Sequence, residues 1–134
     1  MPGMRRGNKA PAPGKKQDEK EEHEVKIVVQ SEGNAPDSKI DARFGRCAFF
    51  MVYDSESKEY NAVENVFREG GGAGIKSGQL AVENGDVVIQ INAGPNAMDV
   101  LKKSGVKLYT GISGETVEKN IEAFLNNGLK ETAG

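Results

Sequence analysis

The second half of the chain repeats one pattern, in which a helix-forming segment ends at a glycine and a short apolar segment follows. Candidate helices end at Asn84-Gly85, Ser104-Gly105 and Asn127-Gly128, and the first two ends lead directly into residues 86–91 and 106–109. Glycine suits these ends because the residue after a helix commonly adopts the left-handed conformation. Strands that alternate with helices predict right-handed crossovers in a parallel sheet.

The first half predicts antiparallel pairing instead. Residues 25–29 and 48–53 have the apolar, β-branched or aromatic composition of strands, and residues 54–58 form a polar hairpin turn before a third strand at 60–66. Together the two halves predict an α/β fold with a five-stranded mixed sheet, one antiparallel strand and helices on both faces. The predicted helices begin at about Gly74, Pro95 and Glu115.

Length and composition predict one folded domain with a tail. The chain has 134 residues, and residues 1–23 combine prolines, glycines and charges without an apolar run, which predicts a disordered tail before a domain at 24–130. Five basic residues precede the first acidic residue of this tail, Asp18, and they leave a nucleic-acid or partner arm as the alternative. The net charge of −2 does not favour nucleic acid. Apolar segments of strand length predict no membrane span, and a single cysteine fits a reducing cytoplasm.

The predicted topology brings several loops to one edge of the sheet. If the second strand is the lone antiparallel one, loops 30–46, 67–74, 92–96 and 110–114 all emerge at the carboxyl ends of the parallel strands, where open α/β sheets bind ligands. Three of these loops lead into helix N-termini, whose unpaired N–H groups attract anions. The sequence therefore predicts an anion-binding crevice at this edge.

The segment Asp41-Ala42-Arg43-Phe44-Gly45-Arg46-Cys47 concentrates the most chemistry, because it holds the only cysteine beside two arginines. Two interpretations of Cys47 stay open: a small buried hydrophobe, or a thiolate whose pKa is lowered by Arg43 or Arg46 and which binds a metal. One thiolate cannot complete a tetrahedral site. A metal held here would bring its own ligands or be shared by a second subunit.

The glycine cluster Gly70–Gly78 resembles a phosphate-binding loop, but Ile75 stands where a Walker A motif has the glycine before its lysine. A flexible loop before a helix is the favoured interpretation, and a phosphate or nucleotide site over Gly70–Ser77 is the alternative. His23, the only histidine, lies in the tail, which argues against cysteine–histidine or serine–histidine catalysis. Classical side-chain catalysis of these kinds therefore has little support in the sequence.

Several segments together resemble one family. They cover nearly all of residues 25–127 and comprise Lys26–Gln30, Asp41–Cys47, Gly72-Ala73-Gly74-Ile75, Gly94-Pro95-Asn96-Ala97 with Leu101, and Gly105-Val106-Lys107-Leu108-Tyr109. In order and spacing they are similar to the dinitrogenase iron–molybdenum cofactor biosynthesis family, the NifX-like domains that also form the C-terminal part of NifB proteins. Cofactor-handling members of this family typically carry histidine where this chain has Arg43.

The resemblance implies a three-layer α/β/α fold of the ribonuclease H-like type. It also implies a non-enzymatic protein that binds or carries an iron–sulfur or iron–molybdenum-type cluster or its precursor, with cofactor-assembly proteins as partners and a monomer or weak homodimer as the assembly. A metal-free interaction or regulatory protein, recruited through the tail or the hairpin edge, is the alternative. Cys47 is the candidate metal ligand, and the candidate cofactor-binding residues are Arg43, Phe44, Gly45, Arg46, Cys47, Gly72, Gly74, Gly94 and Asn96.

Overall fold

The structure, a computed structural model, describes residues 25–132. The predicted tail, residues 1–23, lies outside these residues and stays a prediction. The strands are β1 (Lys26–Ser31), β2 (Phe49–Asp54), β3 (Glu59–Glu64), β4 (Val87–Gln90), β5 (Lys107–Thr110) and β6 (Lys130–Glu131). The helices are α1 (Ala73–Asn84), α2 (Pro95–Ser104) and α3 (Val117–Leu125).

The strands form one six-stranded sheet in the order β3-β2-β1-β4-β5-β6. Strand β1 pairs in parallel with β4, and β4 pairs in parallel with β5, whereas β2 runs antiparallel to both β1 and β3. Because β2 is reversed, the loop that precedes it lies at the carboxyl end of β1. The predicted meeting of loops at this edge is confirmed.

Burial explains which strands are central. Every residue of β4, and every residue of β1 except Lys26, is buried, as expected for strands covered on both faces. On one face of the sheet, Val28 and Val88 share a core cluster with Ala81 of α1 and Leu101 of α2. On the opposite face, Val29 and Ile89 share a core cluster with Ile121 of α3. The three-layer α/β/α architecture is therefore confirmed.

Two details of the predicted fold are wrong. The sheet has a sixth strand, β6, which pairs antiparallel with β5 and so adds a second reversed strand. It escaped prediction because it contains only Lys130 and Glu131, both exposed. The second detail is the prediction that a left-handed glycine ends each helix. It is correct for Gly105, which has φ 85°, but Gly85 is extended, with φ −167°. After α3 the left-handed residue is Asn127.

Within residues 25–132, no helix combines the length and the apolar character that crossing a bilayer requires.

Candidate functional site

A pocket of about 340 Å³ opens at the carboxyl edge of the sheet, where three of the predicted loops meet. One wall comes from the loop before β2, another from the start of α1 and the third from the start of α2. The lining residues are Gly45, Arg46, Gly72, Ala73, Gly74, Gly94, Pro95, Asn96 and Ala97. The pocket therefore combines segments from three separate parts of the chain.

Two helix N-termini end at this pocket without a side-chain cap. Gly72 precedes α1 and Gly94 precedes α2, and neither helix start receives a side-chain hydrogen bond. By contrast, the Thr116 hydroxyl at the start of α3 accepts a bond from a main-chain N–H of that helix. Uncapped first-turn N–H groups and the aligned helix dipoles favour an anion at both starts of the pocket. Gly72 has φ 73°, a conformation that glycine adopts without strain.

Among the described residues that line the pocket, Arg46 has the one charged side chain. Its Nη1 donates to the main-chain oxygen of Arg68 at 2.7 Å, so the guanidinium lies between the pocket and the segment that precedes α1. The backbone next to it approaches α1 closely, because a Cβ atom on Gly45 would lie 3.2 Å from the Cα of Gly74. Glycine at both positions thus allows the arginine-bearing loop to pack directly against the helix start.

A buried polar network fixes this loop. Asn65 and Ser77 are fully buried. The Asn65 Nδ2 donates to the carbonyl oxygen of Cys47 at 3.0 Å, and the Ser77 hydroxyl donates to the carbonyl oxygen of Gly45 at 2.8 Å. The two side chains also bond to each other at 3.0 Å. They satisfy main-chain oxygens that have no sheet partner, which ties the loop, β3 and α1 together.

A second buried amide joins two strand ends at the same edge. The Gln30 Nε2 donates to the carbonyl oxygens of Asp41 and Ile91 at 2.6 Å and 2.9 Å. Its Oε1 accepts from the Ile91 N–H at 3.0 Å. The carboxyl ends of β1 and β4 are thereby fixed relative to the loop that carries Arg46.

Cys47 points into the core and not into the pocket. Its exposed fraction is 0%, and it packs in the cluster beneath α1 and α2. Burial, with a smaller contribution from the nearby Asp41 carboxylate, raises the pKa of the Cys47 thiol to about 12. Burial and the raised pKa favour the buried-hydrophobe interpretation of Cys47 over a thiolate with a lowered pKa.

Two further candidate residues lie away from the pocket lining. Phe44 is 1% exposed, and its ring packs against Phe50 with the centroids 5.3 Å apart. The Arg43 Nε contacts the Asp41 carboxylate at 3.4 Å, while most of the guanidinium faces solvent. The structure thus brings together the remaining candidates at the pocket: Gly45, Arg46, Gly72, Gly74, Gly94 and Asn96.

The described residues offer no cluster of three or more histidine, cysteine, aspartate or glutamate side chains that could hold a metal ion. In the alternative of a phosphate site over Gly70–Ser77, the hydroxyl of Ser77 would contact the phosphate. In the structure this hydroxyl is buried and bonded to Gly45 and Asn65. The Lys76 ammonium lies 6.0 Å from the centre of the Phe67 ring.

Sequence reasoning missed the residues that hold the pocket walls, namely Gln30, Asn65 and Ser77. Gln30 carried a usable signal, since an amide directly after Val28-Val29 in a central strand must find buried partners. Asn65 follows an exposed edge strand and Ser77 lies inside a helix, where polar residues are ordinary. Nothing in the sequence distinguishes these two from surface residues.

The known structures that are similar to this chain include two with more than 30% sequence identity. The apo form of the orange protein from Desulfovibrio gigas has a TM-score of 0.77 and 31% identity, over 84% of this chain and 96% of that one. A candidate NifB protein from Thermotoga, solved by NMR, has a TM-score of 0.70 and 34% identity, over 82% of this chain and 97% of that one.

A third structure, a candidate dinitrogenase from Methanocaldococcus jannaschii, shares the fold with a TM-score of 0.62 and 18% identity, over 83% of this chain and 97% of that one. No curated protein matches the chain significantly. The model of the dinitrogenase iron–molybdenum cofactor family matches residues 23–127. The chain therefore belongs to the dinitrogenase iron–molybdenum cofactor family.

Proposed function

We propose that this protein is a non-enzymatic carrier of an anionic metal–sulfur cofactor of the iron–molybdenum type, or of its precursor. The observation that carries the proposal is the pocket at the carboxyl edge, where two uncapped helix starts and Arg46 surround one space in a member of this family. A volume of about 340 Å³ lies within the usual range of small-ligand sites.

The electrostatics of the lining favour a negative cargo. Each helix start favours an anion by about 0.3–1 kcal/mol at an exposed site, and hydrogen bonds to a charged group contribute about 1.5–3 kcal/mol. None of the lining residues carries a carboxylate that would oppose this charge. Main-chain N–H groups and a guanidinium also suit the sulfide surface of a cluster, because they donate without displacing its own ligands.

The absence of a ligand cluster among residues 25–132 gives the proposal a specific form. The cargo is held through its outer surface, and no protein atom enters the coordination sphere of a metal. Such binding suits transfer, because release breaks hydrogen bonds and ion pairs only. Cofactor-assembly proteins that deliver and receive the cargo are the partners that a carrier of this kind requires.

The test is anaerobic loading of the full chain with ferrous iron, sulfide and tetrathiomolybdate, followed by desalting. Metal content and charge-transfer absorbance are then measured for the wild type and for Cys47→Ala. We expect the wild type to retain coloured, metal-containing cargo and Cys47→Ala to retain as much, because the thiol is buried and protonated. Retention should fall as salt approaches about 1 M, where the Debye length is about 3 Å.

Two outcomes contradict the proposal. A wild-type protein that stays colourless and metal-free after loading would favour the metal-free interaction or regulatory protein. Loss of cargo in a Cys47→Ala protein that keeps its native circular dichroism and melting temperature would show that the cysteine binds metal directly. Thermal melting of the unloaded variant separates this second outcome from simple unfolding.

A further inference from the structure

Residues 66–72, here called the strap, connect the buried Asn65 to the start of α1 and border the pocket through Gly72. The strap lies on the surface. Val66 is 67% exposed, and a Cβ atom added to Gly70 or Gly71 would meet nothing within 4 Å. Much of the strap therefore lacks packing contacts that would hold it in one position.

Few contacts hold the strap to the rest of the protein. Its first turn is anchored by Asn65, which accepts bonds from the N–H groups of Phe67 and Arg68 at 3.2 Å and 3.3 Å. Beyond that turn, the Arg46 guanidinium bonds to the carbonyl oxygen of Arg68, and the Lys76 ammonium lies near the Phe67 ring. In the described structure, the N–H groups of residues 69–71 bond to no acceptor.

Arg46 therefore touches the strap and lines the pocket at the same time. A guanidinium has five N–H donors in a rigid planar fork, and the bond to Arg68 uses only one of its nitrogens. The remaining donors can contact a cargo in the pocket while the bond to the strap persists. A lysine ammonium is a compact point charge and lacks this fork.

We propose that the strap is a lid that closes over the bound anionic cargo, and that Arg46 is the positioning residue that couples closure to cargo. This inference rests on the proposed carrier function. In the cargo-free protein the guanidinium bond to Arg68 holds the lid beside the pocket. In the loaded protein the same guanidinium bonds both cargo and lid, so that cargo binding and lid closure stabilise each other.

Reciprocity sets the expected size of the effect. Coupling between two events of this kind is typically 5–150-fold, and each event shifts the other by the same factor. Closure should therefore slow hydrogen exchange at strap residues that do not line the pocket, and it should lower the dissociation constant of the cargo by a similar factor. Residues 69–71 are suitable reporters because they are exposed and lie outside the lining.

The experiment follows amide hydrogen exchange by NMR in the full chain with and without tetrathiomolybdate. Binding itself is monitored separately through chemical shifts at Gly74 and Ala97 and through retained molybdenum. In the wild type we expect exchange at residues 69–71 to slow by about fivefold or more when cargo is bound. Arg46→Lys should bind cargo but leave exchange at these residues unchanged.

Arg43→Lys is the matched control, because it makes the same replacement on the same loop at a guanidinium that contacts Asp41 outside the pocket. It should behave as the wild type. If cargo binds the wild type while exchange at residues 69–71 stays the same, or if Arg46→Lys retains the slowing, the lid is disproved. If no cargo binds any of the three proteins, the carrier function fails instead.

Discussion

The two ends of helices α1 and α2 present opposite environments to solvent. Their N-termini border the pocket described above, whereas their C-termini border a larger groove of about 430 Å³ at the amino ends of the parallel strands. The groove is lined by Gly85 and Gly105, which follow the two helices, and by Asp86 and Lys107, whose charges oppose each other. The pocket has a single cation and no carboxylate.

The comparison shows that the sign of the charge around a cavity distinguishes the candidate site better than the volume of the cavity does. Helix C-termini carry partial negative charge and exposed carbonyl groups, so the groove disfavours an anion despite its volume. The same two helices give the smaller pocket the opposite sign. Within residues 25–132, this one pair of helices thus favours an anion at the pocket end and disfavours one at the groove end.

The first prediction tests how firmly the pocket end is built. Replacing Asn65 with alanine leaves the carbonyl oxygen of Cys47 and the Phe67 N–H without a partner, and each unsatisfied buried group costs about 1–3 kcal/mol. We expect the free energy of unfolding to fall by about 2–4 kcal/mol. Urea unfolding of the full chain, followed by circular dichroism, measures this loss.

Asn84→Ala is the matched control at the groove end. The half-buried Asn84 makes one side-chain bond, to the Leu80 carbonyl oxygen of its own helix, so its replacement should cost less than about 1.5 kcal/mol. Equal losses in the two variants would mean that the pocket end is no more firmly held than the groove end.

The second prediction places one negative charge at each end of α2. Asn96→Asp adds a carboxylate to the pocket lining, and at about 8 Å from an anionic cargo it would weaken binding by about 2 kcal/mol at an effective dielectric constant of about 20, or roughly thirtyfold. Ser104→Asp adds the same charge to the groove lining and should leave cargo affinity unchanged. Tetrathiomolybdate titration measures both affinities.

Asn96→Asp, the variant expected to bind cargo more weakly, should have the higher free energy of unfolding of the two. An aspartate in the first turn of α2 stabilises the helix by about 0.3–1 kcal/mol, whereas one in its last turn destabilises it by a similar amount. If Asn96→Asp binds cargo more weakly and is also more stable than the wild type, misfolding does not explain the loss of binding. If Ser104→Asp binds cargo more weakly and Asn96→Asp does not, the cargo binds in the groove and not in the pocket.

The sequence predicted the position of this site because its signals are local. Glycine before a helix, as at Gly72 and Gly94, reports a start without a side-chain cap, and the alternation of helices and strands sets which end of the sheet that start occupies. These two facts require no knowledge of tertiary contacts. They were sufficient to bring the lining of the pocket together from three segments.

The sequence could not predict which way each residue of the loop before β2 points. Gly45 and Arg46 face the pocket, while Phe44 and Cys47, immediately on either side, face the core. The direction depends on the turn around these residues and on the buried bonds from Asn65, which comes from a distant part of the chain. The strand β6 was missed for a related reason, since its two exposed residues have no pattern of their own.

The last prediction tests whether the core behind the pocket wall excludes water, and the buried Cys47 thiol is the reporter. The pKa of the Cys47 thiol is raised from 9.0 to about 12, mainly by burial. Well below pH 9 the thiol is protonated in both the folded and the unfolded chain and has no effect on stability. Between pH 9 and 12 the unfolded chain loses this proton while the folded chain keeps it, so the free energy of unfolding must fall as pH rises.

Well above pH 9 the loss approaches about 1.4 kcal/mol per pH unit from this one group. Tyr60, whose pKa is raised from 10.0 to about 12, adds mainly above pH 10, and it adds equally in the wild type and in Cys47→Ala, so the difference between the two proteins reports the thiol. In the interval from pH 9 to 10 the unfolded thiol passes from half to nine-tenths ionised, so Cys47→Ala should remove about 1.0 kcal/mol of the fall in urea unfolding at fixed salt. If the wild type and Cys47→Ala change in parallel, the thiol titrates alike in both states. Water would then reach the wall behind Arg46, and the contrast between the two ends would be lost.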